Sequence, residues 1–290
     1  MKSVFITGAS SGLGAALARA YAADGAVLGL AGRREDALRE LAASLPGEGH
    51  RRYALDVRDR AALHAAAADF IAACGGRVDA VIASAGISAG TLTGEAEDYA
   101  VFQAIFDTNV LAMVATFEPF VPAMRAARHG TLVGIGSVAG VRGLPGAGAY
   151  SASKAAVATY CESLRLELAR DGVRVVAIAP GYVRTAMTRG NPYAMPFLLD
   201  ADVFARRARR AIARGASYAV IPWQMAVVAR LMRLLPDALY DRLAANAPRK
   251  PRTAMAEKPQ GADAAGSEAG PDEAGRDGAG RDGMGRHGPG

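Results

Sequence analysis

Residues 3–14 read Ser3-Val4-Phe5-Ile6-Thr7-Gly8-Ala9-Ser10-Ser11-Gly12-Leu13-Gly14. The apolar run predicts a strand, and the helical spacing that begins at Gly12 predicts a helix directly after a glycine turn. Glycine adopts backbone shapes barred to other residues and lets a pyrophosphate approach the chain closely. A helix N-terminus adds unpaired N–H groups and the positive end of a dipole. Glycine-rich turns often serve packing alone. This one lies between a strand and a helix, the context that points to a dinucleotide cradle made of Gly8, Ser10, Ser11, Gly12, Leu13 and Gly14.

Downstream, short apolar runs alternate with longer stretches of helical period. Strands are predicted at 3–8, 26–32, 50–57, 78–85, 131–137, 173–180 and 218–222, with helices starting near Gly12, Glu35, Asp59, Glu95, Ala149 and Asp200. That alternation is the pattern of repeated β-α units and a parallel sheet. The expected fold is α/β: a single-domain Rossmann fold, a doubly wound seven-stranded parallel sheet with helices on both faces. Pro119 and Pro122 fall inside the long helical stretch 95–128 and predict a kink or early stop there.

The end of the second strand, Leu30-Ala31-Gly32-Arg33-Arg34, has no acid at its tip. A carboxylate there would hold a ribose 2′-OH, whereas guanidinium groups suit a 2′-phosphate. Arg33 and Arg34 therefore select NADP(H) over NAD(H), unless they merely open a solvated helix. Asp56, followed by Val57 at the end of the third strand, either bonds an adenine amino group or caps the next helix. Its place at the strand's carboxyl end favours adenine.

Ser137 follows the fifth strand, and Tyr150 and Lys154 stand four apart on one face of a predicted helix. A free phenol has a pKa of ~10 and is a poor proton carrier at neutral pH. A neighbouring ammonium lowers that value and makes Tyr150 usable as a general acid or base.

These motifs, with Asn109 and with Pro180-Gly181 followed by Val183 and Thr185, make the chain resemble the classical short-chain dehydrogenases/reductases over roughly residues 2–222. The resemblance implies that Tyr150 exchanges the proton with the substrate oxygen and that Ser137 orients that oxygen. Lys154 would hold the nicotinamide ribose and lower the Tyr150 pKa. Asn109 would anchor a water linking Lys154 to solvent. Pro180, Gly181, Val183 and Thr185 would meet the nicotinamide end. The family commonly has Asn-Asn-Ala-Gly after the fourth strand, where this chain has Ala83-Ser84-Ala85-Gly86. Ala85 and Gly86 still allow close cofactor approach, while the missing Asn side chains loosen the bracing of that strand.

The implied activity is that of an NADP(H)-dependent carbonyl reductase or alcohol dehydrogenase, with reduction favoured because cellular NADPH is kept reduced. Two alternatives keep the fold: a non-catalytic cofactor-binding sensor, which usually lacks the Tyr or Lys, and an epimerase, which tends to carry a larger substrate domain. The segment 185–199, with Met187, Tyr193, Met195 and Phe197, reads as an apolar substrate lid, so a lipophilic carbonyl or alcohol is expected. Stretch 223–245 reads as a C-terminal helical segment broken at Pro236. It packs on the substrate mouth or a partner subunit, or its 223–243 face touches a membrane. By resemblance a homodimer or homotetramer is expected.

The catalytic domain is drawn at 1–246. From 247 to 290 the chain turns to glycine and mixed charge, with Gly-Arg-Asp-Gly repeated at 275–278 and 280–283, and reads as a disordered tail. The net charge of +6 is scattered, with no basic run interleaved with aromatics, so no nucleic acid is expected. Cys74 and Cys161 form no CxxC pair and read as buried apolar residues. His50, His64, His129 and His287 lack ligand spacing, so no metal is expected. With no signal peptide and no uninterrupted apolar run of spanning length, the expected address is the cytoplasm.

Overall fold

The computed structural model describes residues 2–191 and 193–252. In chain order the elements begin β1 (Ser3–Thr7), α1 (Gly12–Ala22), β2 (Val27–Gly32), α2 (Glu35–Ser44), β3 (Arg51–Ala54), α3 (Arg60–Ala73) and β4 (Ala80–Ala83). They continue with α4 (Asp98–Phe106), α5 (Ala112–Phe117), α6 (Val121–Ala127), β5 (Thr131–Ile135), α7 (Gly148–Glu167) and β6 (Arg174–Pro180). The last are β7 (Val183–Arg184), α8 (Ala186–Arg189), β8 (Leu199–Asp200), α9 (Ala201–Ala213), β9 (Tyr218–Ile221), α10 (Trp223–Leu234) and α11 (Asp237–Ala244).

Seven strands form one parallel sheet in the order β3-β2-β1-β4-β5-β6-β9. The inner strands are unbroken apolar runs because both their faces are covered; β1, β4 and β5 are buried along their whole length. Val4, Ile6, Leu28 and Leu30 pack with Leu17 and Phe204 on one face, and Phe5, Val81 and Leu132 pack with Phe70, Phe117 and Val157 on the other. The strand order reverses between β1 and β4, which opens a crevice at their carboxyl ends, the usual ligand site of such sheets. All seven expected strands are present, and the expected doubly wound architecture is the observed one.

The long helical stretch divides as its prolines require. Helix α5 ends at Phe117, Pro119 lies in a turn, and Pro122 sits in the first turn of α6, where its missing N–H costs nothing. Between α4 and α5, residues Asp107–Leu111 widen into a π-helical turn, a form often found at functional sites. Stretch 98–127 is long and apolar enough to cross a membrane by length and composition, although Asp107, Asn109 and Glu118 interrupt its apolar run. Here it is a fold element: Ile105, Asn109, Met113, Phe117 and Met124 are buried against the domain.

Two expectations need correction. The tail drawn from 247 onward is docked as far as Arg252, held by bonds from Gly90 N–H to Pro251 O and from Arg252 to Asp98; the rest of it, 253–290, lies outside the described residues. Cys161 is buried and burial pushes its thiol up to about 12, but Cys74 is only partly buried.

Candidate active site and cofactor cleft

The loop from β1 to α1 is shaped by three glycines with separate reasons. Gly8 has φ +67°, and a Cβ there would lie 2.8 Å from the Ala85 backbone. Gly12 has φ +56°, and a Cβ there would lie 3.6 Å from Thr185 Cγ2, across the crevice. At Gly14 a Cβ would lie 2.3 Å from Gly8 O, so helix α1 is seated directly on the loop. Ser11 at the N-cap makes no side-chain cap bond and the first turn holds no acid, so Leu13 and its neighbours turn the positive helix end toward the loop. Helix α3, by contrast, is capped by Asp59, which accepts from Ala62 N at 3.0 Å. Seating a phosphate at α1 is consistent with both the cradle and the unused cap.

At the tip of β2, Arg34 Nη2 donates to Ser10 O at 2.9 Å, which ties the second arginine to the glycine loop. Arg33 is exposed; the Asp56 carboxyl, whose burial alone would raise its pKa, is held below the usual range mainly by Arg58, with a smaller contribution from the Arg33 charge. Asp56 is not a helix cap, since Asp59 has that role. Its oxygens accept from Arg58 N at 2.9 Å and from Arg58 Nη2 at 2.8 Å, so the carboxylate expected to meet adenine is engaged in an ion pair. Val57 is buried beside it.

Beyond β4, Ala85 N donates to Thr7 Oγ1 at 3.5 Å, while Ser84 Oγ is buried with no partner among the described residues. Gly86 leaves room for Asn109 Oδ1, which a Cβ would approach to 3.1 Å, and for Lys154 Nζ at 3.5 Å.

The residues expected to handle the proton gather at the carboxyl ends of β4 and β5. Asn109, wholly buried on the π-helical turn, donates from Nδ2 to Ile87 O and Ser153 Oγ, each at 3.0 Å, and accepts from Ile87 N at 2.8 Å. Its side chain thus fastens the loop after β4 to helix α7. Lys154, one turn beyond Tyr150 on α7, donates from Nζ to Ile135 O at 2.9 Å and lies 5.8 Å from the Tyr150 ring centre. Burial pushes Lys154 down to about 8. Burial also pushes the Tyr150 phenol up, and a hydrogen bond with Ser137 pulls it partly back. Burial is thus the largest influence on both groups, raising the phenol and lowering the ammonium. Ser137 Oγ also accepts from Ala139 N at 3.1 Å, which fixes it at the start of a short 3₁₀ turn.

The far wall is built after β6. Gly181 N donates to Ile221 O at 2.8 Å, and a Cβ on Gly181 would meet Met225 at 2.8 Å, so Pro180-Gly181 is pressed against the start of α10. Val183 is buried in β7, and Thr185 heads α8 in a capping box with Thr188. The expected lid is an excursion between β7 and β8, which pair in parallel; Met187 and Phe197 are exposed along it. The C-terminal helices close over the loop 138–147. Arg142 donates to Met232 O and Leu235 O, its guanidinium lies 4.1 Å over the Tyr240 ring, and Tyr240 OH donates to Gly143 O. The C-terminal helices thus pack on the loop that follows Ser137, while Trp223, Leu231 and Leu234 remain exposed.

Sequence reasoning missed Ser153, Ile87 and Lys250. Ser153 sits inside the Tyr150-x-x-x-Lys154 motif and could have been found there. Lys250 carries no such signal.

This sheet, with a glycine cradle at its crevice and a Ser-Tyr-Lys group beside it, defines a nicotinamide-dinucleotide oxidoreductase. The family model described as short chain dehydrogenase matches residues 2–194, and the chain belongs to that family. It is 39% identical over 245 residues to an uncharacterized oxidoreductase of Myxococcus xanthus (strain DK1622), covering 84% of this chain and 96% of that relative. It is 34% identical over 274 residues to dehydrogenase/reductase SDR family member 7B of Bos taurus, covering 86% of this chain and 82% of the relative. Among solved structures it resembles a short chain dehydrogenase from Burkholderia cenocepacia J2315 in complex with NADP, with a TM-score of 0.73 and 25% identity over 84% of this chain and 99% of the other. The chain is an oxidoreductase that binds a cofactor of the NAD(P) type.

Proposed function

We propose that the protein is an NADP(H)-dependent carbonyl reductase or alcohol dehydrogenase acting on a substrate with a lipophilic part. The observation that carries this reading is the convergence of Ser137, Tyr150 and Lys154 at the carboxyl edge of the sheet, beside the cradle of Gly8, Gly12 and Gly14. The bound cofactor supplies the hydride and the protein supplies its alignment. In reduction Tyr150 gives its proton to the substrate oxygen, and Ser137 holds that oxygen in place. Its raised pKa suits Tyr150 to begin as the neutral acid. Lys154 presents a positive end beside the phenol and faces the nicotinamide ribose. Asn109 keeps the loop after β4 and helix α7 in register, and with its side chain occupied, any water relay to Lys154 would use its backbone.

Arg33 and Arg34 select the cofactor, because no acid stands at the tip of β2 and Arg34 is already fixed on the cradle backbone. The reported NADP complex of the Burkholderia relative agrees with that choice. Met187 and Phe197, exposed on the lid, provide the apolar wall.

Screening aliphatic and aromatic ketones and aldehydes for NADPH consumption tests the reading. Wild type is expected to turn over at least one class. Tyr150→Phe should lose about 10²- to 10⁴-fold in kcat, the usual worth of a general acid, while binding NADPH unchanged. A Tyr150→Phe variant that keeps wild-type turnover would end this assignment.

A further inference from the structure

The segment after α11 turns back to the catalytic cleft and is fastened there. Gly90 N donates to Pro251 O at 3.1 Å, and a Cβ on Gly90 would lie 2.3 Å from Lys250 O, so the two backbones touch. The Arg249 side chain lies over Gly146. Arg252 Nε donates to Asp98 Oδ2 at 2.9 Å and its Nη2 to Glu97 Oε1 at 3.0 Å, with Glu95 at 3.6 Å. Asp98 is buried and also accepts from Leu92 N at 2.7 Å, so this anchor is tied to the cleft loop itself.

The fastening delivers one charge. Lys250 Nζ donates to Ser88 Oγ at 2.7 Å and stands 5.8 Å from the Tyr150 ring centre, as Lys154 Nζ does. Lys250 is partly buried, and burial pushes its pKa down. Its hydrogen-bond partner is a neutral hydroxyl, and no carboxylate among the described residues forms an ion pair with it. The acids nearest along the loop, Glu95, Glu97 and Asp98, are engaged by Arg252. A cation held half out of water without a counter-charge is costly, and an anion arriving beside it removes that cost.

We propose that Lys250 is a substrate-recognition residue: it receives an anionic oxyacid group, a carboxylate, sulfonate or phosphate, carried by the carbonyl substrate close to its reacting carbon. The proposal rests on the reading of Tyr150 as the proton donor. The substrate is then amphipathic, with its anionic group on the C-terminal strap and its apolar part elsewhere in the cleft. Arg252 acts as a positioning residue, because it holds the strap on Asp98 and touches neither substrate nor cofactor.

Full-length wild type, Lys250→Met, Lys250→Arg and Arg252→Ala, each saturated with nicotinamide cofactor, are titrated with butanoate, ethanesulfonate and neutral butanamide, followed by ligand-observed NMR. Wild type is expected to bind the two anions about ten-fold or more tighter than the amide, the range of a charge-assisted hydrogen bond. Lys250→Met should bind all three alike, Lys250→Arg should keep the preference, and Arg252→Ala should weaken it. In turnover, a 2-oxo acid should show a raised KM in Lys250→Met while its methyl ester does not. Cofactor binding with anion and amide indistinguishable in wild type, or a preference that survives Lys250→Met, would overturn the role of Lys250 alone. Failure of the wild type to bind cofactor would instead overturn the functional reading beneath it.

Discussion

Gly14→Ala sets helix propensity against packing, and the structure says which wins. Gly14 lies in the first turn of α1 without a positive φ, so alanine would by propensity alone stabilise the helix by about 1 kcal/mol or less. The new Cβ, however, would stand 2.3 Å from Gly8 O and 2.7 Å from Gly8 C. Ordinary contact begins at 3.4 Å, so the helix and the loop must separate by about an ångström. Both partners are backbone, and no rotamer change relieves the clash. Overpacking of this kind costs roughly 1–3 kcal/mol and more where backbone must move, which exceeds the propensity gain and leaves a net loss of about 2 kcal/mol. For a domain of this size that corresponds to a fall in Tm of about 4–8 °C. Because the same shift opens the cradle, cofactor should bind at least about ten-fold more weakly. Thermal unfolding and cofactor fluorescence measure the two effects, with Gly94→Ala, where a Cβ meets open space, as the control. A Gly14→Ala protein with wild-type Tm and cofactor affinity would refute the packing argument.

Asn109→Ala should lower stability by about 1–3 kcal/mol, since it leaves Ile87 N and O and Ser153 Oγ short of buried partners; urea unfolding reads this directly. Lys154 gives a pH signature. Its folded-state pKa, about 8, lies below the ordinary 10.5, so between these values the unfolded chain holds a proton that the folded chain has released. Wild-type stability should therefore rise with pH relative to Lys154→Met across that window, and a difference that stays flat from pH 8 to 10.5 would contradict the burial argument.

The sheet was legible because its strands, buried on both faces, are continuous apolar runs, and each is punctuated by glycine, proline or charge. The cradle was legible for a related reason: Gly8, Gly12 and Gly14 are adjacent in sequence and solve one local problem. Ser137, Tyr150 and Lys154 could be read from their places at a strand end and on one helix face. What escaped depends on contacts between distant residues. The π-helical turn at 107–111 has no compositional mark, and β7 and β8 are two residues each. The docking of 249–252 arises from Gly90, Gly146 and Asp98, more than a hundred residues earlier, in a stretch whose glycine and charge content resembles a solvated tail. The raised Tyr150 pKa escaped as well, because sequence shows the lysine four residues on but not the burial of the phenol.

The account stands most directly on cofactor selection at the tip of β2. Purified wild type and an Arg33→Ala/Arg34→Ala variant are titrated separately with NADPH and NADH, following cofactor fluorescence. Tight NADPH binding that the double variant loses, with weak NADH binding to both proteins, is the predicted result. Equal affinity for the two cofactors, unchanged in the variant, would show that the arginines are surface charge and contradict the assignment of NADP(H).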